Sequence, residues 1–413
     1  MIAGSSLLSG VPRTPACPAR LQKLTLLLLA SVLGLAGPGR TAEADSATSP
    51  YLAWTHGPAA DPGYFPIAVW LQDPRNAARF KEAGINLYVG LWKGPTDEQL
   101  ARLKEAGMQV ICHQNDLGLT HPDRDVIVGW MHGDEPDNAQ SLGQGKGYGP
   151  PIPPDRIVAD YRWIQERDPT RPILLNLGQG VAWDHWIGRG VRRNHPEDYL
   201  EYVQGCDIVS FDIYPVVHDH PDVAGRLEWV PRGVDRLRDW TRGKRVVWNC
   251  IEASRISNVD TKPTAAQVRS EVWMSLIHGS RGLIYFVHQF KPRFVEASLL
   301  DDAELLRGVT ALNLQIQKLA PVLNSPTLEG WVRVSTEPAD GQVDVMVKRK
   351  EGDLYVFAAN MKPDKVQAAF RFEDKVGDGA LEVLGEDRVL HVSQHAFADD
   401  LEGYGVHLYR IRR

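Results

Sequence analysis

The stretch Val126-Ile-Val-Gly-Trp-Met-His-Gly-Asp-Glu-Pro-Asp137 runs from an uninterrupted apolar segment into a cluster of acidic residues. A second stretch, Arg245-Val-Val-Trp-Asn-Cys-Ile-Glu252, is also apolar and ends in a single acid. Short apolar runs without polar alternation are typical of strands that are buried on both faces of a parallel sheet. We therefore interpret both stretches as buried strands that place an acid, Glu135 or Glu252, at their C-terminal ends.

Similar apolar runs recur along the chain and alternate with amphipathic segments. Capping boxes begin two of these segments, because Gln follows Thr96 and Thr264 at the third position after each. The candidate strands are residues 65–71, 85–91, 108–113, 126–131, 173–177, 208–213, 246–251 and 282–287. Eight strands that alternate with helices predict an α/β fold of the (β/α)8 TIM-barrel type. Only the third connection, between residues 113 and 126, is too short for a full helix, and we expect a single turn within 122–125.

The pattern changes after Pro326, where the apolar period becomes about two. The candidate strands there are residues 331–335, 343–347, 354–359, 368–372, 381–384 and 406–411. Short strands at this spacing without helical segments predict a small all-β sandwich. We expect three parts: a signal peptide at 1–44, the barrel at 45–325 and the sandwich at 326–413. The sandwich is expected to pack against the barrel, and a glycan-binding role for it is an alternative.

The N-terminus has the features of an export signal. Arg13, Arg20 and Lys23 precede an apolar segment at 24–36, and Ala42-Glu43-Ala44 has the form of a signal-peptidase site. This pattern predicts a secreted or periplasmic protein without stable membrane insertion after cleavage. The net charge of −6 without a basic block makes nucleic acid an unexpected partner. Three of the four cysteines lie outside the signal segment, and this odd number argues against a disulfide framework.

The two strand-end acids suggest a particular chemistry. In a parallel barrel the C-terminal rim carries the functional loops, and strands four and seven face each other across it. Hydrolysis of a glycosidic bond with retention needs one carboxyl group as acid/base and a second as nucleophile, roughly 5 to 5.5 Å apart. Glu135 and Glu252 are therefore the candidate pair, and the expected partner is a carbohydrate substrate.

This pattern resembles clan A of the glycoside hydrolases, which are retaining (β/α)8 enzymes, over about residues 60 to 323. The C-terminal part also looks like the β-sandwich that follows the barrel in many of them. The resemblance implies that Glu135 is the acid/base and that Glu252 is the nucleophile. We expect no metal or organic cofactor to take part. One position differs, because clan members commonly carry Asn before the acid/base and this chain has Asp134. An ionised Asp134 accepts but does not donate hydrogen bonds, and its charge is expected to raise the pKa of Glu135.

Other residues at strand ends are candidates for substrate binding. Asp212 and Tyr214 follow strand six, and the resemblance implies that such a tyrosine orients the nucleophile. Flat aromatic rings suit sugar faces, while several of them are expected to be core. The predicted binding residues are Asp134, Trp70, Asn176, Asp212, Tyr214, Trp248 and His288.

Two other classes of protein fit parts of the sequence. A metal-dependent hydrolase would use histidines such as His132 and His288 with carboxylates. It is disfavoured because strand one lacks a His-x-His ending and has Trp70-Leu-Gln72 instead. A non-catalytic glycan-binding or scaffold protein on the same barrel is the other alternative. The sequence leaves open the sugar, its linkage, endo or exo action and the oligomeric state.

Overall fold

The computed structural model describes residues 49–143 and 145–412, so the predicted signal peptide lies outside the described residues. All described elements belong to one compact unit. No helix among the described residues is long and apolar enough to cross a membrane.

Parallel strands form a closed barrel. The strands are β1 Ile67–Trp70, β2 Leu87–Val89, β3 Gln109–Cys112, β4 Ile127–Met131, β5 Ile173–Leu177, β6 Ile208–Phe211, β7 Val246–Val247, β8 Asn249–Glu252 and β9 Leu283–Phe286. Their order in the sheet is β7-β6-β5-β4-β3-β2-β1-β9-β8, and only Trp248 separates β7 from β8. The segments β7 and β8 make up one strand, which pairs with β6 at its start and with β9 at its end. The predicted (β/α)8 barrel is confirmed.

Helices cover the outside of the barrel. Thr96 and Thr264 each accept a hydrogen bond from the backbone of the Gln three residues later, and that Gln side chain accepts one from the threonine N–H, so both predicted capping boxes form. The helices are α1 Ala77–Glu82, α2 Asp97–Ala106, α3 Asp116–Thr120, α4 Pro154–Arg167, α5 Tyr199–Tyr202, α6 Trp229–Thr241, α7 Ala265–Ile277, α8 Ser298–Asp301 and α9 Ala303–Leu323.

The third connection differs from the expected single turn. It contains α3, followed by a 3-10 turn at Arg124–Val126. Asn115 caps α3 by accepting a hydrogen bond from the Gly118 N–H at 2.7 Å. An N-cap of this kind stabilises a helix that is too short to show an apolar period.

The C-terminal part is a sandwich of two antiparallel sheets. Its strands are β10 Val332–Glu337, β11 Val343–Lys350, β12 Asp353–Asn360, β13 Val366–Phe372, β14 Gly379–Val383, β15 Arg388–Val392, β16 Ala396–Leu401 and β17 Val406–Ile411. The strand order is β10-β13-β16 in one sheet and β11-β12-β17-β14-β15 in the other. The sequence pattern missed β15 and β16, where polar and charged residues interrupt the apolar alternation. The sandwich packs on the barrel helices, and Phe357 stacks on Trp273 of α7 with ring centroids 5.3 Å apart.

A lysine is buried where the sandwich meets the barrel. Lys348 on β11 is only 1% exposed, and its Nζ donates a hydrogen bond to the Ser325 carbonyl at 2.7 Å. Burial lowers the pKa of Lys348 to about 7, and the positive charge of Arg281 acts in the same direction. The folded protein therefore holds the charged form of this lysine at a cost in stability.

We expect Lys348→Met to raise the free energy of unfolding near pH 7 in chloride buffer, by about 2–5 kcal/mol. The unfolded chain binds more protons than the folded chain between the folded pKa of about 7 and the ordinary value of 10.5. Wild-type stability should therefore rise with pH across this window, and the advantage of the variant should shrink. Urea unfolding at pH 6.5 and pH 10 measures both effects, with the exposed Lys318→Met as the control. A difference that stays constant with pH would show that Lys348 titrates normally.

Candidate active site

Three carboxyl groups meet at the C-terminal end of the barrel. Asp134 and Glu135 follow β4, and Asp212 follows β6, so the intervening strand β5 lies between them. The carboxyl groups of Glu135 and Asp212 are within hydrogen-bonding reach of each other. Asn176 of β5 donates its Nδ2 to Asp134 Oδ1 at 3.0 Å, and its Oδ1 accepts from Ser210 Oγ at 2.7 Å. The predicted residues Asp134, Asn176 and Asp212 therefore surround Glu135.

The backbone at Glu135 adopts a conformation that L-residues rarely take. Its φ is +42°, in the left-handed region. The Glu135 N–H donates to the Asn176 carbonyl at 3.2 Å, and the Glu135 carbonyl accepts from the Asn138 N–H at 3.0 Å. Gly178 faces this turn, and a Cβ there would lie 3.0 Å from Glu135 Oε1 and 2.8 Å from Asn138 Nδ2. Local strain of this type, about 1–3 kcal/mol, is concentrated at functional sites.

Burial and mutual repulsion change the acidity of all three groups. Burial raises the pKa of Glu135 well above its usual range, and the negative charges of Asp212 and Asp134 raise it further. Burial also raises the pKa of Asp212 to about 7. Asp134 is exposed to an open cavity, but the surrounding protein excludes enough water to raise its pKa to about 6. Burial and the neighbouring negative charges therefore favour the protonated form of Glu135.

A buried network supports the turn that carries Glu135. Asp137 accepts hydrogen bonds from the Gly178 N–H at 2.9 Å and from the Tyr199 hydroxyl at 2.8 Å. Arg189 donates its Nε to the Asp137 carbonyl at 3.2 Å. The sequence showed Asp137 only as a further acid after Glu135, because its partners lie in later loops. This network fixes the position of the β4 end relative to β5.

Glu252 lies in a different environment. Its Oε1 accepts from the Val216 N–H at 2.6 Å and its Oε2 from the Val217 N–H at 3.0 Å, and the residue is 0% exposed. The carboxyl group of Glu271 on α7, also 0% exposed, lies within hydrogen-bonding reach of it. Burial raises the pKa of Glu252 to about 7 and that of Glu271 well above its usual range.

We expected Glu252 to face the same pocket as Glu135. The structure instead encloses Glu252 beneath the loop after β6, because the backbone N–H groups of that loop bind both of its oxygens. The charges that act most strongly on Glu135 are those of Asp212, Asp134 and Asp137. The second acid beside Glu135 is therefore Asp212, while a nucleophilic role for Glu252 stays a prediction.

A cavity of about 920 Å³ opens beside Asp134. The Trp92 ring is 69% exposed and that of Phe294 is 60% exposed. His288 stacks on Phe290 with ring centroids 6.1 Å apart and an interplanar angle of 14°. The aromatic residues in the wall of this cavity are Trp70, Trp92, Phe286, His288, Phe290 and Phe294. Exposed flat rings around an open cleft suit the apolar faces of sugars.

The other predicted binding residues are divided between the site and the core. Tyr214 lies beside Asp212, and its ring is 5.3 Å from that of Phe286, which places it at the site. Trp248 is 0% exposed, and its indole N–H donates to the Tyr51 hydroxyl at 2.9 Å inside the barrel. Trp248 is therefore a core residue that does not contact the cavity, which corrects its expected role in binding.

The histidines of the barrel are not arranged as a metal site within the described residues. Among residues 49–143 and 145–412, no group of three or more His, Cys, Asp or Glu side chains is arranged to hold a metal ion. His132 is bonded to the Gly205 carbonyl at 2.7 Å, and His288 contacts the Gln72 amide at 3.1 Å.

No protein-family model and no curated protein matches the chain. Solved structures that are similar include α-galactosidase I from Mortierella vinacea, with 10% identity, a TM-score of 0.49 and coverage of 84% of this chain and 97% of that one. The maltogenic α-amylase AmyB from Thermotoga neapolitana has 10% identity, a TM-score of 0.47 and coverage of 85% and 99%. A GH30 endoxylanase from Clostridium papyrosolvens C71 has 10% identity, a TM-score of 0.45 and coverage of 84% and 96%.

Proposed function

We propose that this protein is a glycoside hydrolase that cleaves glycosidic bonds in an oligo- or polysaccharide, with Glu135 as the proton donor. The observation that carries the proposal is the close approach of the Glu135 and Asp212 carboxyl groups next to Asp134, which lines an open aromatic cleft. Raised pKa values that arise from burial and a specific charged partner are typical of catalytic acids.

The proposed mechanism assigns one role to each acid. Protonated Glu135 gives its proton to the glycosidic oxygen as the bond to the anomeric carbon breaks. Asp212, ionised, attacks the anomeric carbon and forms a glycosyl ester. Glu135, now ionised, takes a proton from water, which attacks the ester and releases Asp212. Two carboxyl groups this close are far from the roughly 6.5–9.5 Å that an inverting pair keeps to hold a water molecule, so retention is the nearer of the two geometries. The pair has to open to roughly 5 to 5.5 Å when a sugar binds between the two groups.

Glu252 has a supporting role in this mechanism. By binding the N–H groups of Val216 and Val217, it holds the loop that follows Asp212 and Tyr214. A Glu252 nucleophile, which the sequence resemblance implies, would first have to break both of these hydrogen bonds. Each unpaired buried N–H costs about 1–3 kcal/mol, so Asp212 is the better-supported candidate.

The cleft and the predicted export support a carbohydrate polymer as substrate. Aromatic side chains line the same cavity as Asp134, together with the charged pairs Asp73–Arg75 and Glu98–Arg102. An open cleft of this type accepts several sugar units, because it does not close around the end of a chain. Secretion, which the N-terminal sequence predicts, would bring the protein to polysaccharides outside the cytoplasm.

We expect hydrolysis with retention and a neutral optimum when purified protein is tested on a panel of polysaccharides and aryl glycosides. Asp212 must be ionised and has a pKa of about 7, so kcat/KM should rise with pH up to about 7. Above that value kcat/KM should fall as Glu135 loses its proton. Proton NMR of the first anomer released measures the stereochemistry, and initial rates from pH 4 to 10 give the profile. An optimum near pH 4 would contradict these roles, and glycan binding without turnover would favour the non-catalytic alternative.

A further inference from the structure

A second cavity, of about 610 Å³, lies at the opposite end of the barrel. Residues before β7 and β9, together with the ends of α6 and α7, form one side of it. Residues 345, 346 and 348 of β11 in the sandwich form the other side. This cavity is therefore remote from Glu135, which follows the C-terminal end of β4.

The wall of this cavity is rich in positive charge. Its cationic residues are Arg238, Lys244, Arg245, Arg281 and Lys348, and its acidic residues are Asp207 and Glu329. Among the described residues, Arg245 is the one of these cations with a carboxylate within 4.0 Å, that of Asp207. Asp207 is already engaged, because its oxygens accept from the Tyr161 hydroxyl and the Ile173 N–H, both at 2.9 Å. Glu329 is exposed.

The cations are oriented by backbone carbonyls instead of counter-ions. Arg281 donates its Nη1 to the Leu323 carbonyl at 3.1 Å, and Arg238 donates its Nη1 to the His278 carbonyl at 2.9 Å. Within the described part of the chain, Lys348 donates one hydrogen bond, to the Ser325 carbonyl, and the other N–H groups of its ammonium can bind a ligand. Carbonyl groups fix these side chains without neutralising their charge.

A buried cation that contacts no counter-ion, such as Lys348, is costly, so a site that keeps it needs a compensating interaction. Arg and Lys side chains bind the oxygens of phosphate and sulfate through short charge-assisted hydrogen bonds. We propose that this cavity binds the phosphate or sulfate group of a small molecule, with Lys348 and Arg281 as its inner contacts and Arg238 and Lys244 at its rim. The cavity has room for a sugar that carries such a group as well as for the free anion.

The test measures the thermal midpoint of the full chain while sodium phosphate or sodium sulfate replaces sodium chloride at constant ionic strength. We expect a saturable rise in Tm at millimolar anion in the wild type. Sulfate and phosphate also stabilise proteins by exclusion from their surface, but that effect does not saturate and acts equally on all variants. The cavity variants Lys348→Met and Arg281→Gln should weaken the apparent affinity by about ten-fold or more. The exposed Lys318→Gln on α9 removes the same charge outside the cavity and should leave the affinity unchanged.

A second pair of variants provides a test if Lys348→Met or Arg281→Gln prevents folding. Lys244→Gln and Arg238→Gln change exposed residues at the rim, and titration calorimetry with phosphate should show weaker binding for both. Glucose 6-phosphate and glucose 6-sulfate distinguish the source of the group: tighter binding of either ester than of the inorganic anion indicates a sugar ligand, and equal binding indicates the free anion. The proposal is overturned if wild type and cavity variants respond alike, or if phosphate and sulfate raise Tm no more than chloride does.

Discussion

Glu135→Gln should lower kcat on an unactivated oligosaccharide by roughly 10²–10⁴-fold, because general acid catalysis contributes about this much. Gln has nearly the same shape as Glu and cannot donate the proton to the leaving oxygen. Because its surroundings already favour the neutral, protonated form of Glu135, the substitution changes the charge beside Asp134 and Asp212 little. Rates on the best polysaccharide of the panel measure the loss.

The leaving group distinguishes this role from a structural one. A dinitrophenyl glycoside needs no proton to depart, so the first step should be much less affected in Glu135→Gln than with the natural substrate. Glu201→Gln makes the same chemical change at an exposed position on α5 and should behave as wild type. Equal losses on both substrates, or a wild-type kcat on the oligosaccharide, would remove Glu135 from the mechanism.

The second large effect concerns the nucleophile. Asp212→Ala should lower turnover by at least about 10³-fold, since a missing nucleophile leaves only binding and acid catalysis. Azide is small enough to occupy the space of the lost carboxylate. It should restore part of the rate and give a glycosyl azide with the anomeric configuration inverted relative to the substrate.

The matched variant is Glu252→Ala, which removes the nucleophile implied by the sequence resemblance. In the enclosed environment of Glu252, this change leaves the Val216 and Val217 N–H groups and the Glu271 carboxyl group without their partner. We expect a loss of about 2–4 kcal/mol in the free energy of unfolding, measured with urea, and no rescue by azide. An inverted glycosyl azide formed by Glu252→Ala, and not by Asp212→Ala, would assign the nucleophile to Glu252.

The location of Glu135 could be predicted because it depends on local patterns. An apolar run long enough for one buried strand ends just before Gly133-Asp-Glu-Pro136, and all strands of a parallel barrel end at the same rim. The same argument placed Asp212 at the end of β6. Whether these two acids touch depends on the order and stagger of neighbouring strands, which local patterns do not contain.

The sequence by itself determined the (β/α)8 architecture, both capping boxes and the rim on which the acids lie, because each depends on residues close together in the chain. Only the tertiary structure decided which acids meet. Glu252 ends its strand as predicted, yet the N–H groups of a loop after β6 and the Glu271 carboxyl of α7 enclose it. Trp248 likewise bonds to Tyr51, from the start of the described chain. These partners are distant in sequence, and a side chain at a strand end is oriented by whichever donors the packed loops bring to it.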